Sequence, residues 1–176
     1  MILTDREIRI ALQQKQIVID PEPDLTIAIS STSIDLTLDD NFATWPQING
    51  LSIRPGAPGY SYAAVAGLQV KQQSPTFALQ PGRFVLAWTK QRVNIPYTSR
   101  LAARVEGKSS LARLGVSVHV TAPIVHAGFN NRIQLEMFNF GQNEVVLDAG
   151  MWICQLVFEH TAGTPDKGYS GMFQGN

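Results

Sequence analysis

The sequence predicts a mainly β protein with one short N-terminal helix, and three observations carry that expectation. Apolar residues alternate with period two in several short runs: Ser33-Ile34-Asp35-Leu36-Thr37-Leu38, Phe84-Val85-Leu86-Ala87-Trp88 and Val116-Ser117-Val118-His119-Val120-Thr121. Turn residues fall between such runs, at Gln80-Pro81-Gly82, Asn94-Ile95-Pro96, His126-Ala127-Gly128 and Asp148-Ala149-Gly150. Helical spacing is confined to the start of the chain. A series of short strands punctuated in this way points to a sandwich, jelly roll or barrel.

Taken in order, Thr4-Asp5-Arg6-Glu7 has the form of a capping box, and Ile8 and Leu12 follow at helical spacing. The helix should fade near Lys15, before Ile17-Val18-Ile19 and the break at Asp20-Pro21-Glu22-Pro23. After the strand at 33–38, residues 46–67 are rich in Pro, Gly, Ala and Ser and read as a long excursion over the surface. Asn131-Arg132-Ile133-Gln134-Leu135-Glu136-Met137-Phe138 and Met151-Trp152-Ile153-Cys154-Gln155-Leu156-Val157-Phe158 read as further strands. From Thr161 onward core-forming residues are few. The expected organisation is a single domain over residues 1–160 and a C-terminal arm over 161–176.

Hydrophobic residues make up 44% of the 176 and charged residues 16%, enough apolar surface for a folded core. No apolar run approaches the roughly 18 residues needed to span a bilayer, and the first residues lack a signal-peptide core. A lone cysteine, Cys154, gives neither a disulfide framework nor a metal cluster. These features predict a cytoplasmic chain that engages no membrane.

Formal charge is balanced, with 14 basic and 14 acidic residues, but the distribution is uneven. Between positions 83 and 132 stand Arg83, Lys90, Arg92, Arg100, Arg104, Lys108, Arg113 and Arg132, against Glu106 alone. A positive segment within a neutral protein fits a small polyanion better than bulk nucleic acid, which usually recruits a basic domain. A solvated basic face has the same composition.

Two segments concentrate the chemistry. Gly107-Lys108-Ser109-Ser110-Leu111-Ala112-Arg113-Leu114-Gly115 offers backbone N–H groups, hydroxyls and a cation together, a combination that suits phosphate oxygens. The spacing is not that of a Walker A loop. One helical turn would set Ser109 and Arg113 on the same face. An ordinary surface turn with a helix cap is the competing reading. In the strand 131–138, Ile133, Leu135 and Met137 face one way and Arg132, Gln134 and Glu136 the other. Burial raises the pKa of a carboxylate and a neighbouring guanidinium lowers it, so a carboxylate so placed is open to tuning as a general base. A solvent-facing ion pair on an antiparallel strand would look the same.

The histidines separate by context. His119 lies in an apolar alternating run, as structural histidines do; His126 lies in a turn, where it could meet a ligand or cap the loop; His160 precedes the arm. They lack the spacing of a metal site, and no Pro-Cys-x-x-Cys accompanies a His-x-Glu, so zinc deaminase chemistry is disfavoured. Cys154 reads as a core filler.

Together these segments resemble the dCTP deaminase branch of the trimeric dUTPase superfamily. The likeness is densest from Leu79 to Phe158, and its specific parts are Gly107–Gly115, His119-Val120-Thr121-Ala122 and Gln134-Leu135-Glu136. It implies a distorted β jelly roll assembled as a homotrimer with active sites at the subunit interfaces. The activity it implies is metal-independent deamination of dCTP to dUTP and ammonia. On this resemblance Glu136 is the general base, and Ser109, Arg113 and the carbonyl of Ala122 hold the water and the cytosine ring. Lys108, Ser109 and Ser110 match the phosphate-binding turn; Gln134, Gln155, Tyr169 and Gln174 are expected against the nucleotide. Mg2+ is expected on the substrate triphosphate, and no zinc.

Three departures from the family pattern stand out. His126 stands where an aspartate usually contacts the deoxyribose 3′-hydroxyl. Met172-Phe173 replaces a Lys-Tyr pair, and Asn176 replaces a glutamine. The alternative is dUTP diphosphatase activity, alone or coupled to deamination, against which His126 argues; the altered tail motivates another, a degenerate nucleotide-binding sensor.

Overall fold

The computed structural model describes residues 1–171. Helix α1 (Asp5–Gln13) begins where the capping box predicts: the Glu7 carboxylate accepts hydrogen bonds from the Thr4 N–H at 3.2 Å and from the Thr4 hydroxyl. Ile8, Ala11 and Leu12 form its buried stripe, and the chain leaves it through Lys15 in a left-handed conformation. A short strand β1 (Val18–Asp20) and a single helical turn α2 (Leu25–Ala28), capped by Asp24, lead into β2 (Ile34–Thr44).

The excursion predicted after β2 runs from 45 to 69 and contains a helix that its Pro/Gly composition conceals, α3 (Tyr62–Ala66). Then follow β3 (Val70–Gln73), β4 (Thr76–Leu79), β5 (Phe84–Asn94), a 3-10 turn at Tyr97–Ser99 and β6 (Leu101–Gly107). The helical turn α4 (Ser109–Ala112) precedes β7 (Val116–Ser117), β8 (Ile124–Val125), β9 (Asn130–Asn139), β10 (Val145–Asp148) and β11 (Trp152–His160).

One antiparallel sheet curls through the order β7-β9-β5-β2-β11-β6-β8, with β1 added to β5 and β3 to β2; β4 and β10 form a separate pair. The long strand β2 makes the curl, because Ile34–Thr37 pair with β11 while Leu38–Ala43 pair with β5. Alternation decides what faces inward. Ile34, Leu36, Leu38, Val85, Ala87, Leu135, Met137, Leu156 and Phe158 are each 2% exposed or less and join one apolar cluster with the buried side of α1. Cys154 belongs to it, and burial pushes its thiol up to about 12, so it packs rather than reacts. Among the described residues no helix is long and apolar enough to cross a membrane.

One predicted strand is shorter than its pattern. The alternation from Val116 to Thr121 forms ladder bonds only at Val116 and Ser117. The Val118 carbonyl still accepts from the Glu136 N–H at 3.1 Å, but the Val120 N–H turns to the Glu136 side chain. A carboxylate has taken the place of a strand neighbour there.

Candidate functional site

Strand β9 presents its polar side away from the core, as its period-two pattern predicts: Ile133, Leu135 and Met137 are buried, while Gln134 and Glu136 are half-buried on the other face. Glu136 sits opposite Leu86 and Gln134 opposite Trp88 on β5, and Leu86 in turn sits opposite Ala43 on β2. Leu86, Gln134 and Glu136 of this group line a cavity of about 440 Å³ together with Trp45, Tyr62, Phe84 and Tyr169. The Glu136 Oε2 accepts the Val120 N–H at 3.3 Å, so one carboxylate oxygen is fixed to the backbone of the 118–123 loop.

Arg132 leaves this group. It shares the face of Gln134 and Glu136, but its guanidinium pairs with Asp39 on β2 and helps to line a separate cavity of about 580 Å³ with Trp88 and Lys71. The grouping of amide, carboxylate and guanidinium expected from the strand alone therefore reduces to amide and carboxylate.

Tyr169 enters the Glu136 cavity from the C-terminal segment, whose described part is held against the body. Its N–H donates to the Ala127 carbonyl at 2.9 Å, and its ring stacks on that of His126, centroids 5.5 Å apart and planes 10° apart. The approach depends on Gly128, which lies at φ +91° and where a Cβ would stand 2.5 Å from the Tyr169 nitrogen. His126 is exposed and lines a second cavity of about 480 Å³, with Lys167 and Ser170; Tyr169 is the wall common to both cavities. Gln174 lies outside the described residues.

The glycine-lysine-serine segment forms the helical turn expected of it. The Arg113 N–H donates to the Ser109 carbonyl at 3.1 Å, which places these residues one turn apart, and Ser109, Ser110 and Arg113 are all exposed. Gly115, at φ +90°, closes the turn and lets the backbone of Gly141 pass close by. Lys108 points elsewhere: its ammonium pairs with Asp35 on β2, with side chains 25% and 13% exposed. Gln155 is engaged at both ends of its amide, accepting from the Ser33 hydroxyl at 2.9 Å and donating to the Gly107 carbonyl at 3.2 Å. Lys108 and Gln155 thus tie the start of the turn to β2 and β11. Ala122 is exposed in the loop that carries Val120.

The predicted residues therefore fall into two sets. Glu136, Gln134 and Tyr169 share one cavity, with His126 adjoining; none of Lys108, Ser109, Ser110 and Arg113 lines it. Sequence reasoning missed Trp45, Tyr62, Phe84 and Leu86. The face of Phe84 and Leu86 could be read from alternation, but the joining of Trp45 and Tyr62 to Glu136 needs the β2–β5–β9 register. Among the described residues no three His, Cys, Asp or Glu side chains gather as a metal cage.

Comparison with known proteins locates this arrangement. The family model described as dCTP deaminase-like matches residues 2–161. A Halobacterium salinarum protein named dCTP deaminase, dUMP-forming, is 37% identical over 169 residues, covering 96% of this chain and 85% of its own length. A Rhodospirillum rubrum protein named dCTP deaminase is 37% identical over 174 residues, covering 97% and 88%. The crystal structure of 2′-deoxycytidine 5′-triphosphate deaminase from Agrobacterium tumefaciens superposes with a TM-score of 0.68 at 20% identity. That match covers 90% of this chain and 47% of that one, and it shows the common fold. With a family match across nearly its whole length and relatives this similar on either side of it, the chain belongs to the dCTP deaminase-like family.

Proposed function

We propose that the protein deaminates dCTP to dUTP and ammonia without a metal in the chemical step, and that it works as a cytoplasmic homotrimer. The observation that carries this reading is the Glu136 carboxylate, fixed by the Val120 N–H at the edge of a cavity whose other walls are aromatic, apolar or amide groups. A flat uncharged base fits such a cavity, and a carboxylate at its rim can move a proton.

The step balances on these parts. A water oxygen bonds to C4 of the cytosine while Glu136 takes its proton and delivers it to N3. The tetrahedral carbon then carries a hydroxyl and an amino group. The hydroxyl proton passes by way of Glu136 to the amine, the C4–N bond breaks, and ammonia leaves a C4 carbonyl. Ser109, Arg113 and the Ala122 carbonyl hold the water and the ring, and orientation substitutes for a Lewis acid. Ser109 and Ser110, with Lys108 braced on Asp35, receive the phosphates. Gln155 keeps that turn in place through Gly107, and the arm from 161 onward closes over the nucleotide with Tyr169. Mg2+ enters as part of the substrate, coordinated by triphosphate oxygens, the usual way this ion is carried by nucleotides. His126 faces the sugar.

That Glu136 and the Ser109–Arg113 turn do not line one cavity within the chain supports a reading in which each active site is completed by a neighbouring subunit.

A second reading is favoured by a specific observation: the Halobacterium salinarum relative is named for forming dUMP. It adds hydrolysis of dUTP to deamination. A histidine at 126 weighs against the added step, since a carboxylate there would orient an attacking water more strongly. Incubation with dCTP separates the two. Ammonia with accumulating dUTP is the expected result; ammonia with pyrophosphate and dUMP would replace it with the coupled reaction. No ammonia from dCTP, with or without Mg2+, would remove both.

A further inference from the structure

Ala43 and Leu86 are buried, at 0% and 4% exposure, yet neither belongs to the central apolar cluster. They lie on the opposite face of the sheet, in the row that ends at Glu136. Water is kept from that row by what stands over it. The excursion between β2 and β3 is pinned at its base by the pairing of Thr44 with Val70. It returns Trp45 from one end, and Tyr62 at the start of α3, to the walls of the Glu136 cavity. Trp45 is two residues beyond Ala43, so extended backbone carries it on the same face as the row beneath.

The electrostatics of this cavity are selective. Among the described residues Glu136 is the sole charged one in its lining, and no lysine or arginine contributes. A triphosphate would meet a carboxylate and, among the described residues, no cation there, whereas a neutral heteroaromatic ring meets the aromatic side chains of Trp45, Tyr62, Phe84 and Tyr169 beside two polar groups, Gln134 and Glu136.

We infer that the excursion is a base-binding element: Trp45 and Tyr62 form the wall on which the pyrimidine of the nucleotide stacks, turning its amino-bearing edge to Glu136. The inference rests on the reading of Glu136 as the base that acts on that ring. It assigns to residues 45–69 a part in substrate selection, separate from the phosphate turn. Stacking of one base on an aromatic side chain corresponds to about 5- to 150-fold in affinity.

The test measures binding without turnover, in a Glu136→Gln background, by titration calorimetry with dCTP, dUTP, deoxycytidine and inorganic tripolyphosphate. Trp45→Ala should weaken dCTP and dUTP by about 5- to 150-fold and deoxycytidine in proportion, leaving tripolyphosphate unchanged. Tyr62→Ala should act in the same direction, and Trp45→Phe should restore affinity to within about 3-fold. Thermal unfolding of each variant identifies a loss of fold; if Trp45→Ala fails that control, Tyr62→Ala and Trp45→Phe decide the outcome. Unchanged dCTP affinity in the folded alanine variants would overturn the inference, as would equal weakening of dCTP and tripolyphosphate. If the wild-type protein released no ammonia from dCTP while nucleotide binding still depended on Trp45, the deaminase reading would fail, and with it the presentation of the ring to Glu136, while the stacking wall would stand. Ammonia release with binding indifferent to Trp45 and Tyr62 would have the opposite meaning.

Discussion

Replacing Glu136 by glutamine lowers ammonia release from dCTP by about 10³- to 10⁴-fold and leaves nucleotide binding within a few-fold of wild type. The amide has nearly the shape of the carboxylate, and its oxygen can still accept the Val120 N–H that holds Glu136 at 3.3 Å. The cavity therefore keeps its form. What is lost is the group that takes a proton from water and returns it to the ring, a transfer corresponding to about 4 to 5.5 kcal/mol of barrier. Single-turnover ammonia release, together with calorimetric binding, checks both halves. A drop in binding equal to the drop in rate would make Glu136 a ligand contact and not a base.

The second large effect is a gain. Arg113→Ala and Glu136→Gln proteins, each inactive alone, recover about a quarter of wild-type activity when co-expressed in equal amounts. The reasoning is geometric. In a cyclic trimer whose sites combine Glu136 of one subunit with the Ser109–Arg113 turn of the next, every mixed trimer contains one junction where both partners are intact. Random assortment makes about three-quarters of trimers mixed, and one of their three sites is whole. The structure motivates the test, since the turn residues are exposed and absent from the lining of the Glu136 cavity. Activity that stays at the level of the single variants in isolated mixed trimers would place the whole site in one chain.

How much of this was legible beforehand follows from the range of the interactions involved. The capping box at Thr4 and Glu7, the outward turn of Gln134 and Glu136, and the helical turn from Ser109 are local, and local spacing announces them. Pairings distant along the chain left no such trace. Lys108 was expected among phosphate ligands, and its pairing with Asp35 depends on β2 and β6 flanking β11. Arg132 reads on the strand as a companion of Glu136, yet Asp39 draws it into another cavity. The run from Val116 to Thr121 has a strand's alternation, but the side chain of Glu136 replaces a ladder partner at Val120. Trp45 opens, and Tyr62 lies within, a segment whose Pro and Gly content reads as mere surface; only the register Ala43–Leu86–Glu136 shows what that segment covers.

A crystal structure of the Glu136→Gln protein with dCTP and Mg2+ puts the account to its most direct trial. Residue 136 is expected within about 3 Å of the cytosine N3 or of a water at C4, with the phosphates on the Lys108–Ser110 turn of an adjoining subunit. A cytosine bound elsewhere, with residue 136 turned to bulk solvent, would contradict it.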